Sequence, residues 1–200
     1  LFSRIIMLKK IPNILTIGRI IIVPFFVLAF YLPGFYGDLT AFALFLIASF
    51  TDFLDGMLAR MLGEESKLGE LLDPIADKII VATALILLVM SGTIKHYEVI
   101  AAIIILTREI LISGLREFLA KGKIRLPVSN LAKLKTFLQM VAIALLLTGE
   151  TGNKILNFQD YNAQTIGIIL LWLSAFLTLY TGYEYLRKGI DHAMSEDNKN

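Results

Sequence analysis

Asp52 and Asp55 stand three residues apart, and Asp73 and Asp77 stand four apart. On helices each pair shares a face, and a turn through the GEESKLG between them would bring the two faces together. Four carboxylates gathered in one place repel one another unless cations lie among them. The chain has no Cys, and neither of its two His residues, His96 and His192, is close in sequence. An all-oxygen set of this kind suits a hard divalent ion, Mg²⁺ or Mn²⁺. Carboxylates, two such ions and nearby basic groups make a phosphoryl-transfer site, in which metals neutralise phosphate oxygens and activate a hydroxyl. The competing reading is a solvated helix rim, or acids paired with Arg60, Lys67 and Lys78. Gly56, Ala59 and Gly69 beside the acids allow close approach of a ligand, although helix packing also favours small residues.

The elements that hold these residues are greasy. The chain has 200 residues, 56% hydrophobic and 18% charged, with a mean hydropathy of +0.72. That composition fits a single all-α integral membrane domain better than a soluble one. Six transmembrane helices are expected, at 14 to 32, 38 to 60, 71 to 92, 97 to 119, 131 to 149 and 163 to 187. Breaks rich in turn residues separate several of them: LPGFYGD, SGTIKHY and TGETGNKILNFQD. Pro24 lies inside the first span, where a membrane helix tolerates a kink. Residues 1 to 13 alternate apolar and basic groups without a small-residue cleavage pattern, so an interfacial amphipathic segment is expected there rather than a signal peptide. Residues 14 to 187 form the membrane catalytic domain, and 188 to 200 a cytoplasmic tail.

Basic residues set the orientation. With the N-terminus cytoplasmic, the outer loops carry only Lys95 and Lys154, and the inner loops carry Arg60, Lys67, Lys78, Lys121, Lys123, Arg125, Lys133, Lys135, Arg187 and Lys188. Both termini and the aspartates are therefore expected on the cytoplasmic side.

Asp52, Asp55, Gly56, Ala59, Arg60, Gly69, Asp73 and Asp77 reproduce D-x-x-D-G-x-x-A-R, eight residues, G-x-x-x-D-x-x-x-D. In this the chain resembles the CDP-alcohol phosphotransferase family, and the six-span pattern extends the likeness over almost its whole length. The resemblance implies a homodimeric enzyme with a polar, metal-containing cavity open to the cytoplasm, in which an incoming hydroxyl displaces CMP. It implies Asp52, Asp55, Asp73 and Asp77 as ligands of two ions, with Asp77 also the general base and Asp73 at the reacting centre. Gly56, Ala59, Arg60, Ser66 and Gly69 would receive the CDP portion.

The segments PNILTIGR, TREILISGLRE and KLKT resemble the phosphatidylglycerophosphate-forming branch of that family. The implied substrates are CDP-diacylglycerol and sn-glycerol 3-phosphate, with membrane lipids as surroundings and no nucleic acid as partner. Arg108, Arg116, Lys133 and Lys135 are the expected acceptor-phosphate group; a buried Arg108–Glu109 pair and positive-inside anchoring compete with that reading. Ser66 replaces the Thr usual in this branch, and Ala132 the usual Gly. Inositol phosphate, inositol, serine and phosphatidylglycerol remain alternative acceptors, because the signature encodes CMP displacement and not the alcohol. A small membrane transporter is the alternative from another class, set back by the lack of inverted halves.

Overall fold

The computed structural model describes residues 2–62, 67–121, 129–155 and 162–197. Within them the chain is helical: α1 (Phe2–Ala29), α2 (Gly34–Leu62), α3 (Lys67–Met90), α4 (Glu98–Lys121), α5 (Asn130–Leu147), the short α6 (Gly149–Ile155) and α7 (Ala163–Asp197). Each expected break holds a glycine in the left-handed region, Gly34 at φ 62°, Gly92 at φ 73° and Gly149 at φ 53°, a conformation that costs other residues energy. Segment 1–13 and the first span are one continuous helix from Phe2. α3 likewise continues through Pro74, whose missing N–H forfeits one bond of the helical ladder.

Two compact units emerge: Leu1–Thr93 with Ala144–Gln164, and Ile94–Ile143 with Thr165–Asn200. In the first, α1 packs on α2 and α3. The inward face of α2 is Ala41, Phe45 and Ala48, all buried, and its alternating steps of four and three match one helix face. Phe45 meets Phe26 of α1 at 6.3 Å between ring centres, and Phe30 stands edge-on to Phe26 at 5.6 Å. On α3 the buried seam is Ala76, Ile80, Ala84, Leu85 and Leu88. Alanines at these crossings let the helix backbones approach closely.

The outward faces are just as apolar. Ile14, Ile17, Ile21, Phe25 and Leu28 form an exposed stripe along α1, which in water would be an extended adhesive patch. In the second unit, exposed Ile103, Ile110 and Phe118 on α4 and Leu173, Phe176 and Tyr180 on α7 repeat the pattern. Apolar side chains on inner and outer faces alike identify helices that lie in lipid. Among the described residues, three helices are long and apolar enough to cross a membrane by length and composition: Gly34–Asp52, Asn130–Leu147 and Ala163–Arg187, with Ile14–Ala29 a shorter apolar helix. The expectation was six. Among the described residues α3 and α4 fall short because charges lie within them: Asp73, Asp77 and Lys78 in one, Arg108, Glu109 and Arg116 in the other.

Candidate active site

The seam of α2 does not end with its apolar residues. Continuing the register of Ala41, Phe45 and Ala48 by one step reaches Asp52, and by one more Asp55. On α3, Asp77 lies three residues before Ile80, and Asp73 four before Asp77, so the acids extend that seam too. The faces that build the core at one end of these helices carry carboxylates at the other. Asp52, Asp73 and Asp77 are all half-buried.

A cation for Asp52 comes from α1. Arg19 Nη1 donates to Asp52 Oδ1 at 2.7 Å, and the Arg19 side chain has no exposed surface while that of Asp52 keeps 39%. One turn earlier on α1, the Thr16 hydroxyl donates to Asp73 Oδ1. Thr16 and Arg19 are both buried at 1% exposure. A guanidinium this deep needs a fixed anion, since an unmatched buried charge is strongly destabilising. The cation on Asp52 is thus Arg19, a residue outside the set of Arg60, Lys67 and Lys78 weighed as partners from the sequence. Its signal was a Thr and an Arg at i and i+3 in an apolar run. Lys78 instead donates to the carbonyl of Pro74 at 3.1 Å.

Asp55, Gly56, Ala59 and Arg60 lie on α2 and Gly69 on α3, but their side chains are outside the described residues, as is all of Ser66. Among the described residues no three His, Cys, Asp or Glu side chains converge closely enough to hold a metal ion. The donor chemistry nevertheless fits a hard divalent ion. Asp52 and Asp73 offer only oxygens, and a guanidinium and a hydroxyl fix them in the way that outer groups orient metal-binding carboxylates.

The second unit holds the expected acceptor group, and the structure divides it. Glu109 of α4 takes both the Lys135 ammonium from α5 and Arg108 Nη1, the latter at 3.2 Å. Arg108 Nη2 donates to Thr181 of α7 at 3.1 Å. Gly182 makes room for that crossing, because a Cβ there would stand 3.1 Å from Arg108 Cγ. Lys135 is buried at 4% exposure. Arg108 and Lys135 are thus engaged in an internal network, which favours the buried-pair reading for Arg108–Glu109. Arg116 and Lys133 are exposed. Arg116 Nη2 donates to the Tyr185 hydroxyl at 2.9 Å, with the guanidinium 4.9 Å from the ring centre. Arg108 lies 5.9 Å from the same ring. Tyr185 escaped the sequence reading because an aromatic near a span end resembles ordinary interfacial anchoring. Ser129 caps α5, its hydroxyl accepting from Ala132 N at 3.2 Å, a usual N-terminal device. Ala132 is buried at 7% exposure.

A cavity of about 570 Å³ lies at the far end of α2 from the aspartates, lined by Gly34, Phe35, Asp38, Thr93, Gly149, Thr151 and Lys154. Asp38 there accepts from the Thr151 hydroxyl at 3.1 Å. A Cβ on Gly149 would meet the Asp38 carboxylate at 2.7 to 2.9 Å. Asp38 thereby ties α2 to the start of α6. The cavity holds none of the signature residues.

The profile of CDP-alcohol phosphatidyltransferases matches residues 9–180 of the chain. A CDP-diacylglycerol–glycerol-3-phosphate 3-phosphatidyltransferase of Rickettsia felis is 43% identical over 179 residues, covering 90% of this chain and 94% of the relative. Proteins of the same description from Cereibacter sphaeroides and Shigella flexneri are 37% and 39% identical, over 94% and 88% of this chain and 98% and 93% of theirs.

Proposed function

The chain belongs to the CDP-alcohol phosphatidyltransferase family, and from that premise we propose that it transfers the phosphatidyl group of CDP-diacylglycerol to sn-glycerol 3-phosphate. The products are phosphatidylglycerophosphate and CMP, a step in phospholipid biosynthesis. The observation that carries this reading is near-full-length identity to enzymes described by that reaction. The transfer forms one P–O bond and breaks another. The C1 hydroxyl oxygen of the acceptor attacks the phosphorus that bears diacylglycerol, and the bond from that phosphorus to CMP breaks.

Asp52, Asp55, Asp73 and Asp77 would hold two divalent ions, Mg²⁺ or Mn²⁺, which when bound neutralise the diphosphate and the departing CMP. Asp77 accepts the proton of the attacking hydroxyl. Gly56, Ala59, Arg60, Ser66 and Gly69 receive the CDP portion, the small residues by clearance and Arg60 by charge. Arg116 and Lys133 bind the acceptor phosphate, supported by their exposure and by the bidentate fit of guanidinium to phosphate. Arg108 and Lys135 complete that cationic group, held in place by their bonds to Glu109.

α1 to α5 and α7 are the six proposed spans. The shortest of them, α5, has 18 residues, or ~27 Å at the helical rise, close to a hydrocarbon core of ~30 Å. The distribution of Lys and Arg supports cytoplasmic termini and a cytoplasm-facing polar cavity, and family resemblance supports a homodimer.

The test is to offer the purified protein CDP-diacylglycerol, Mg²⁺ or Mn²⁺ and a panel of acceptors, and to identify the lipid product by mass. Phosphatidylglycerophosphate with stoichiometric CMP is the expected result. Product from inositol, inositol phosphate, serine or phosphatidylglycerol, with none from glycerol 3-phosphate, would overturn the acceptor assignment.

A further inference from the structure

α1 carries none of the signature aspartates, yet it touches both helices that do. Its Arg19 reaches Asp52 on α2, and its Thr16 reaches Asp73 on α3. The two residues sit at i and i+3, so one face of one helical turn makes both contacts. From this juxtaposition we infer that Thr16 and Arg19 are positioning residues, which orient Asp52 and Asp73 for a divalent ion. The inference rests on the metal-dependent reading above.

A carboxylate has two oxygens and about four lone-pair sites. An orienting bond at one oxygen is therefore compatible with metal ligation by the same group. What the bond removes is rotation: a carboxylate fixed by an outer partner meets an ion without first being ordered. Burial makes the partner rigid as well. Arg19 has no exposed side-chain surface and cannot swing into water, and Thr16 is equally enclosed. The Arg19 charge also offsets part of the mutual repulsion of the acids. Packing alone would need neither a hydroxyl nor a guanidinium at these positions.

Mn²⁺ binding to the purified full-length chain without substrates, read by electron paramagnetic resonance, tests the inference. Thr16→Val keeps the side-chain shape and loses the hydroxyl, and Thr16→Ser keeps the hydroxyl. The Mn²⁺ Kd should rise about tenfold or more in Thr16→Val and stay within about threefold in Thr16→Ser, the scale usual for outer-shell groups. Arg19→Lys keeps the charge without the planar fork and should also raise the Kd, giving a second reading if Thr16→Val folds poorly. Parental Kd in both Thr16→Val and Arg19→Lys would overturn the inference alone, as would equal losses in Thr16→Val and Thr16→Ser. No Mn²⁺ binding by the unsubstituted chain would overturn the metal reading and this inference together.

Discussion

Arg116 of α4 is bonded to the Tyr185 hydroxyl of α7 at 2.9 Å, and its guanidinium lies 4.9 Å from the centre of the same ring. One aromatic residue thus fixes an exposed arginine twice, through the hydroxyl and through the π face.

Tyr185→Phe keeps the ring and removes the acceptor. Losing a single hydrogen bond worth about 0.5–1.5 kcal/mol should raise the KM for glycerol 3-phosphate roughly twofold to twelvefold. Tyr185→Leu removes the ring as well and should raise it further. Steady-state kinetics with each substrate varied in turn should show little change in the KM for CDP-diacylglycerol. An unchanged glycerol 3-phosphate KM in Tyr185→Leu would remove Arg116 positioning from the account.

Glu109 carries a different load, because it faces the buried Lys135 and Arg108 together. Glu109→Gln should destabilise the protein by about 3–5 kcal/mol, since it strands cations without an anion. Adding Lys135→Met should restore part of the loss by removing one of those cations. Thermal unfolding of the purified variants in one detergent checks the order: parent, then double variant, then single.

Asp77→Asn should keep CDP-diacylglycerol binding, weaken Mn²⁺ binding only in part because three of the four proposed carboxylate ligands remain, and lose turnover at every pH even with metal saturating, because an amide cannot take the hydroxyl proton. Single-turnover CMP release alongside metal binding separates these effects. Turnover near the parental rate would exclude Asp77 as the base.

Labels at Lys95 and Lys154 should react from outside intact cells, and labels at Lys67, Lys123 and Arg187 only after the membrane is opened. The basis is the excess of basic residues on one set of loops. External labelling of Lys67 would place the aspartate loop on the wrong side.

The helices were largely legible because turn-rich segments punctuate apolar runs. LPGFYGD and SGTIKHY both fall where helices end, and their glycines Gly34 and Gly92 take the left-handed conformations that such sequences suggest. α6 was not legible: GETGNKI is polar and seven residues long, and the carboxylate at its start comes from Asp38 on another helix. The signature aspartates could be read from spacing, but not their partners on α1. Arg19 in PNILTIGR looked like part of a motif, and only packing shows that its charge is spent on Asp52. Among the four expected acceptor cations, Arg108 already stood apart through its neighbour Glu109, whereas Lys135 did not. Charge and the adjacency of Arg108 and Glu109 are visible in a sequence, whereas the bond that brings Lys135 of α5 to Glu109 joins separate helices.

On α2 the positions that pack the core and those that bear the acids follow a single helical phase, from Ala41 and Phe45 through Ala48 to Asp52 and Asp55. Each residue of an α-helix turns the chain by ~100°. One residue inserted between Ala48 and Asp52 would therefore swing Asp52 away from Arg19 of α1 while leaving the packed half of the helix undisturbed. Seven inserted residues, nearly two full turns, would restore the direction but displace the acids by ~10 Å along the axis. The acidic end of α2 is held in phase by its greasy end, and the spacing between the two is as fixed a property of the helix as the aspartates themselves.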